Sequence, residues 1–332
     1  MHFDDLPRVT LGHLPTPLEP LASLQSTPTG PRVWVKRDDC TGLAFGGNKT
    51  RKLEYLLADA EQQGATAVVT FGALQSNHAR QTAAACARRG LACALILRDA
   101  VGRRVDDYER NANLLYDDLF GAAVHRVPAD STPEAVLKTV LAALAEAGHR
   151  PYVVPTGGSS EVGALGYARC ALEIAAEFKA RGLYPGTVIH ATSTGGTQGG
   201  LVAGFRYAGL ATRVLGINVY KTDSAAIAAE VKTLGQAVLD RLDPTLHLTD
   251  DDVEVVDGFL GDGYGKPTAA MVQALRRLAS QEGLLFDPVY SGKALAGLLA
   301  LLEADRLSDD VVFIHTGGAA ALPVYASEFL GP

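Results

Sequence analysis

The chain has 332 residues, 47% hydrophobic and 20% charged, which excludes a disordered protein and, at about 150 residues per domain, points to roughly two domains. Thirty basic residues against 37 acidic give a net charge of −7, and no Lys/Arg block longer than Arg103-Arg104 or Arg276-Arg277 offers the footprint of a nucleic-acid or anionic-membrane binder. No apolar run approaches the ~18 residues of a membrane span, and Met1-His2-Phe3-Asp4-Asp5 lacks the basic and apolar regions of a signal peptide, so no membrane partner and a cytoplasmic location are expected.

In chain order, the apolar run 32–36 predicts the first strand, with Trp34 read as packing. Asp38, Asp39 and Cys40 follow at its end. Adjacent strand carboxylates point to opposite faces, which argues against paired acid and base work, and an acidic neighbourhood opposes a thiolate at Cys40. The Gly-rich segment from Gly42 to Thr50 then feeds helix 48–63, whose Leu53, Leu56, Leu57 and Ala60 keep helical spacing up to Gly64. It is not a Walker loop, because Asn48 interrupts the required Gly-Lys-Thr succession. Lys49 breaks a local rule: a cation in the first turn opposes the helix macrodipole, and such violations mark functional sites. Burial and its neighbours Arg51 and Lys52 lower an amine pKa, as a Schiff-base lysine requires.

Strands 67–71, 93–97, 123–127 and 152–154 alternate with helices 76–89 and 133–147, and the charged stretch 99–110 reads as a surface connection. Cys86, Cys93 and Cys170 read as small buried residues. With no C-x-x-C pair and no His at zinc spacing, the cysteines predict a reducing compartment and no metal site. A second Gly-bearing turn, Thr156-Gly157-Gly158-Ser159-Ser160, leads into helix 161–181. Strand 187–192 then passes through Ser193-Thr194-Gly195-Gly196-Thr197-Gln198-Gly199-Gly200 into a helix where Gly199, Gly200 and Gly204 permit close packing. This turn is the strongest phosphate candidate, since backbone N–H groups at a helix start approach an anion and Thr194 and Thr197 add hydroxyls. It lacks the G-x-G-x-x-G spacing of a dinucleotide site.

Strand 213–219, helices 225–242, 266–282 and 291–301, and strand 311–315 complete the pattern, which is that of an α/β protein with mostly parallel strands. His190 and His315 end strands and read as satisfied core histidines. A fourth Gly turn, His315-Thr316-Gly317-Gly318, follows the last strand. These turns absorb much of a count of 35 glycines, above the usual share of about 7%. Ordinary α/β turns would account for them equally, so a non-catalytic amino-acid or nucleotide-binding protein stays open at this point. No Ser/Gly/Pro-rich linker divides the chain.

Four stretches carry a resemblance. Gly46-Gly47-Asn48-Lys49-Thr50-Arg51-Lys52-Leu53-Glu54-Tyr55-Leu56, Gln75-Ser76-Asn77-His78-Ala79-Arg80-Gln81, Asp287-Pro288-Val289-Tyr290-Ser291-Gly292-Lys293 and His315-Thr316-Gly317-Gly318 resemble, in order and spacing, the pyridoxal-phosphate (PLP) family of D-cysteine desulfhydrase and 1-aminocyclopropane-1-carboxylate deaminase. The likeness runs from about Leu14 to the C-terminus. It implies fold type II, the tryptophan synthase beta-like PLP fold: two three-layer α/β/α domains with mostly parallel sheets, residues 51–159 being a small domain inserted into a large one made of 1–50 plus 160–332. It implies pyridoxal 5'-phosphate as cofactor, a small amino-acid substrate and a homodimer.

Carried over by residue, the resemblance makes Lys49 the Schiff-base lysine and the base for the α-proton. Thr194, Gly195, Gly196 and Thr197 would hold the phosphate, and Asn77 the ring hydroxyl. Ser76 and His78, with Asn77, would lie at the substrate carboxylate, Ser291 at the pyridine nitrogen, and Tyr264 and Tyr290 beside the substrate. A hydroxyl at that nitrogen delocalises the carbanion less than a carboxylate would, which favours expulsion of a β-leaving group. The stretch from Leu43 to Leu56 resembles the deaminase branch, yet that branch has Gln and Glu where His78 and Ser291 stand. A carbon–sulfur β-lyase acting on D-cysteine is therefore the expectation. L-cysteate sulfo-lyase comes next, then the ring-opening deaminase that yields 2-oxobutyrate. Lys266 reads as a solvated lysine at a helix start, with attraction of a sulfonate as its alternative role.

Overall fold

The computed structural model describes residues 3–25, 30–103 and 105–330; Met1, His2 and Arg104, named above, lie outside them. The chain opens with β1 (Leu18–Pro20) and β2 (Val33–Lys36), then α1 (Lys49–Gln62), β3 (Ala67–Ala73), α2 (Asn77–Arg89) and β4 (Ala92–Arg98). Two short helices, α3 (Asp106–Arg110) and α4 (Asn113–Leu119), precede β5 (Ala123–Arg126), α5 (Pro133–Glu146) and β6 (Pro151–Val154). After α6 (Glu161–Ala180) come β7 (Thr187–Thr192), α7 (Gly196–Tyr207), β8 (Arg213–Asn218), α8 (Ser224–Leu242) and β9 (Glu254–Val256). The last elements are α9 (Ala269–Glu282), α10 (Ser291–Glu303), β10 (Val311–Ile314) and α11 (Ser327–Leu330).

Two sheets result. One has the order β1-β2-β10-β7-β8-β9, the other β5-β4-β3-β6. Among the described residues every strand pair is parallel except β1 with β2. Both sheets are covered on both faces, which is why their strands read as continuous apolar runs. In β10, Val312 and Ile314 pack with α6, α7 and α8, while Val311 and Phe313 pack with α9 and α10, the two faces alternating as strand side chains must. In the smaller sheet Val68, Leu95 and Leu97 meet α1 and α2, whereas Val69, Ala94 and Ile96 meet Val140 of α5. The fold is thus two α/β/α sandwiches, as the family resemblance implies.

Several details differ from the sequence reading. Stretch 99–110 is only partly a surface connection: α3 forms there and buries Tyr108, whose ring meets Tyr325 edge-on at 5.9 Å. Helix 266–282 starts three residues late, at Ala269, because Thr268 caps it through a bond from Met271 N. Asp38 and Asp39 belong to a single 3-10 turn rather than a strand. Asp39 binds Arg37, while Asp38 is wholly buried and accepts from Arg51 Nε at 2.9 Å and Nη2 at 2.8 Å, from Thr16 at 2.9 Å and from Tyr167 at 2.5 Å. Arg51 reaches on to Glu173 of α6, which also pairs with Lys36 of β2. This buried network clamps the first turn of α1, and with it Lys49, against both neighbouring elements.

The cysteines form no disulfide among the described residues, and burial and then Asp39 raise the Cys40 thiol above its ordinary pKa. No described helix is long and apolar enough to cross a membrane, and no described cluster of His, Cys, Asp or Glu has the make-up of a metal site. His315 is buried, stacked on Phe286 and bonded to Leu285 O, and His190 is buried with Nδ1 at Ala191 O.

Candidate active site

A cavity of about 480 Å³ opens where the C-terminal ends of β3, β7 and β10 converge, the usual ligand position in open α/β sheets. Lys49, Ser76, Asn77, His78, Thr194 and Gly195 line it, together with Thr197, Tyr264 and Tyr290. Two expected residues do not. Gly196 lies behind the wall as the first residue of α7, and Ser291 is fully buried behind Asp287, which lines the wall in its place. Lys266 is exposed and stands outside the lining.

Lys49 reaches the site because the segment before α1 turns sharply at Gly46, where φ is +69° and a Cβ would lie 1.8 Å from Asp39 O. Its Nζ donates to Asn48 Oδ1 at 3.0 Å. Burial pushes this amine down to about 8, against the opposing pull of Asp287. Three residues on, and so on the same face of the helix, Lys52 also enters the cavity wall. It is 1% exposed, and its Nζ contacts only neutral oxygens, Gly157 O at 3.1 Å and Ser159 Oγ at 3.4 Å. Burial and the charge of Lys49 push it well below its ordinary pKa. No carboxylate among the described residues neutralises it. The i, i+3 spacing was the signal in the sequence that would have found it.

The groups around Lys52 make an anion cradle. Gly195 takes φ +76° as the cap of α7, and the N–H groups of Thr197 and Gln198 have no acceptor among the described residues, as expected in a first helical turn. Thr194 Oγ1 and Ser159 Oγ lie 2.7 Å apart, and Asn48 Nδ2 donates to Thr197 Oγ1 at 3.3 Å. A Cβ on Gly196 would stand 2.6 Å from Ser159 Oγ, 2.9 Å from Ser159 Cα and 3.0 Å from Lys52 Nζ, so only glycine lets the turn close on the amine.

Opposite, α2 points its N-terminus into the cavity. Ser76 caps it, accepting from Ala79 N at 3.1 Å, and leaves the N–H groups of Asn77 and His78 without acceptors among the described residues. The imidazole of His78 turns away from this terminus. Thr70 Oγ1 donates to Val154 O at 2.9 Å, so its oxygen accepts from His78 Nε2 at 2.8 Å. Burial, then Lys49 and Lys52, hold the ring neutral, and Nδ1 carries a lone pair. Such a ring has no donor left for a carboxylate, and the backbone N–H of His78 is the group that suits one.

Tyr264 and Tyr290 meet hydroxyl to hydroxyl, their rings edge to face at 5.7 Å. Burial raises both phenols, so they stay protonated. Below them Asp287 Oδ2 accepts from the N–H groups of Val289 and Tyr290, each at 2.9 Å, and Oδ1 from Ser291 N at 2.7 Å and Ser291 Oγ at 2.6 Å. Asp287 is therefore the anion at the start of α10. The stretch Asp287-Pro288-Val289-Tyr290-Ser291 carries its signal in the sequence, since an acid shortly before a helix start favours the free N–H groups there.

Comparison with known proteins gives the family and the fold. The family model described as "Pyridoxal-phosphate dependent enzyme" matches residues 9–317. The D-cysteine desulfhydrases of Salmonella paratyphi A and Salmonella choleraesuis are each 42% identical, over 98% of this chain and 98% of theirs. Among solved structures, an ACC deaminase homologue superposes with a TM-score of 0.88 at 34% identity, covering 99% of this chain and 97% of its own. The T.th. threonine deaminase gives a TM-score of 0.64 at 20% identity over 91% and 92% of the two chains, a likeness of fold alone.

Proposed function

Because the chain belongs to the pyridoxal-phosphate dependent enzymes, we propose that it is a D-cysteine desulfhydrase, a carbon–sulfur β-lyase that turns D-cysteine and water into pyruvate, sulfide and ammonia. The observation that carries this reading is the 42% identity to such enzymes over 98% of both chains. The site residues fit the cofactor, since Lys52, 1% exposed and without a carboxylate partner among the described residues, can hold its proton in the cavity wall only with an anion beside it at the glycine turn. Lys52, Thr194, Thr197 and the α7 N–H groups would hold its phosphate, Lys49 its aldehyde carbon and Asn77 its ring oxygen. When bound, the cofactor supplies the electron sink for a carbanion at the substrate α-carbon.

The chain's own groups do the rest. The free N–H groups of Asn77 and His78, with the Ser76 hydroxyl, orient the substrate carboxylate at the positive end of α2. Lys49, held at about 8 by burial, is the amine available to take the α-proton near neutral pH. The protonated pair Tyr264 and Tyr290 would donate toward the departing sulfur, since both line the cavity.

Separate incubations with D-cysteine, L-cysteate and aminocyclopropane carboxylate, with the keto acid identified in each, test the reading. Pyruvate and sulfide from D-cysteine are expected at the highest kcat/KM. Preferred formation of sulfite from L-cysteate, or of 2-oxobutyrate from the cyclopropane, would replace it with the corresponding alternative. We also propose that residues 51–159 are a small domain inserted into one built of 1–50 plus 160–332, in keeping with the wholly contiguous origin of the four-stranded sheet. Native-state hydrogen exchange should then show β3 to β6 opening as a unit apart from the larger sheet. Opening of both sheets in a single step would refute the division.

A further inference from the structure

We infer that Arg80 is a positioning residue: its guanidinium fixes the carboxamide of Asn77 with the nitrogen toward the cavity and holds it in register with the segment that carries Lys49. Arg80, on α2, is fully buried. Its Nη1 donates to Asn77 Oδ1 at 2.9 Å and to Asn113 Oδ1 at 2.6 Å, and its Nη2 to Gly46 O at 3.1 Å. Asn113 Nδ2 donates to the same Asn77 Oδ1 at 3.0 Å. Two bonds fill the lone pairs of that oxygen, so the amide cannot reverse without losing both. Its Nδ2 is left as a donor on the cavity side, near Gly318, where a Cβ would come within 2.8 Å of it.

The supporting shell is itself locked. Asn113 N donates to Gln75 Oε1 and Asn113 Nδ2 to Gln75 O, both at 3.0 Å. Gln75 Nε2 in turn holds Tyr108 O at 2.7 Å and Asn111 O at 2.9 Å. An arginine buried for stability alone would take a paired, two-pronged contact with a carboxylate. Asp117 is buried nearby, yet neither of its oxygens, nor Nε of Arg80, has a hydrogen-bond partner among the described residues. The two Nη groups are spent instead on neutral oxygens that frame the site. A cation behind the amide oxygen also polarises the N–H bonds on the far side, which strengthens their hold on an anionic oxygen.

The inference rests on the reading of Asn77 as a cofactor contact, and a double-mutant cycle on the holoprotein tests it with PLP as the probe. Two quantities are measured: the dissociation constant of PLP, and the pH midpoint of the visible band of the bound cofactor. Arg80→Met and Asn77→Ala are each expected to weaken binding about tenfold or more and to move the midpoint the same way, while the double variant stays within about twofold of Asn77→Ala alone. Arg80→Lys, which keeps the charge and loses the fork, should fall between wild type and Arg80→Met, and it serves the same cycle if the Met variant does not fold. Effects that multiply in the double variant overturn the inference. Failure of the proposed function looks different, as a wild-type chain that binds no PLP. In that event neutron diffraction of wild type and Arg80→Lys decides, and an Asn77 nitrogen still turned to the cavity without the fork overturns the inference.

Discussion

Replacing Lys49 by Ala is expected to abolish the borohydride-reducible link between protein and cofactor and to lower turnover of D-cysteine by about 10³-fold or more, the scale on which loss of an activated amine or base acts. The fold should survive. Lys49 lines the cavity, its one side-chain hydrogen bond among the described residues goes to the adjacent Asn48, and the clamp on α1 is made by Arg51 instead. Thermal unfolding of the variant should therefore match that of the wild-type protein lacking cofactor. Mass spectrometry after reduction is the direct measurement. A link that persists in Lys49→Ala would move the attachment to another amine, with Lys52 first in line, and would remove Lys49 from the proposed chemistry.

The second large effect lies in the clamp. Asp38→Asn leaves the Arg51 guanidinium buried with half of its compensation gone, which costs about 3–5 kcal/mol when a buried pair is broken from one side. The lower end is expected, because Glu173 still reaches Arg51 at 2.9 Å. Burial alone would raise the Asp38 carboxyl, but the Arg51 guanidinium, hydrogen bonds from Arg51 and Tyr167, and the charge of Lys36 hold it below its ordinary value. A carboxyl whose pKa is lower folded than unfolded stabilises the protein at every pH above its unfolded value of about 3.9 and loses that contribution as the pH falls through the folded one. Chemical denaturation should thus give a constant gap between wild type and variant from pH 5 to 7, narrowing below about 4. A gap under about 1 kcal/mol at pH 7, the level of an exposed pair, would mean that the network is not what holds α1.

Much of this architecture is legible in the sequence, and the parts that are not share a cause. Strands such as β7 and β10 are buried on both faces, so their apolar runs stand out, and β7 falls on the predicted 187–192. The edge strands β1 and β9, three residues each, carry Glu19, Pro20 and Glu254 and bury little, so no periodicity announces them. The glycine turns, Lys49 and the tyrosines are local features, and the cavity gathers them. What the chain order hides is charge balance. That Lys52 lacks an anion, that Asp38 turns inward while Asp39 turns out, and that the His78 imidazole is bound to Thr70 all depend on which helix packs where. Ser291 illustrates the same limit: its place one residue after a cavity tyrosine says nothing of Asp287, which folds back over it.

The strand order has one more consequence, for synthesis on the ribosome. In the larger sheet β10 lies between β2 and β7, and it is the last strand of the chain. Until residues 311–314 have emerged, β1 and β2 have no bonded route to β7, β8 and β9, and the sheet exists as two separate halves. The smaller sheet needs nothing beyond residue 154. Translation proceeds at about 5–20 residues per second, so the smaller sheet has many seconds in which to form first. Lys49, at the end of the early segment, meets the glycine turn at residue 195 in final register only when the closing strand arrives.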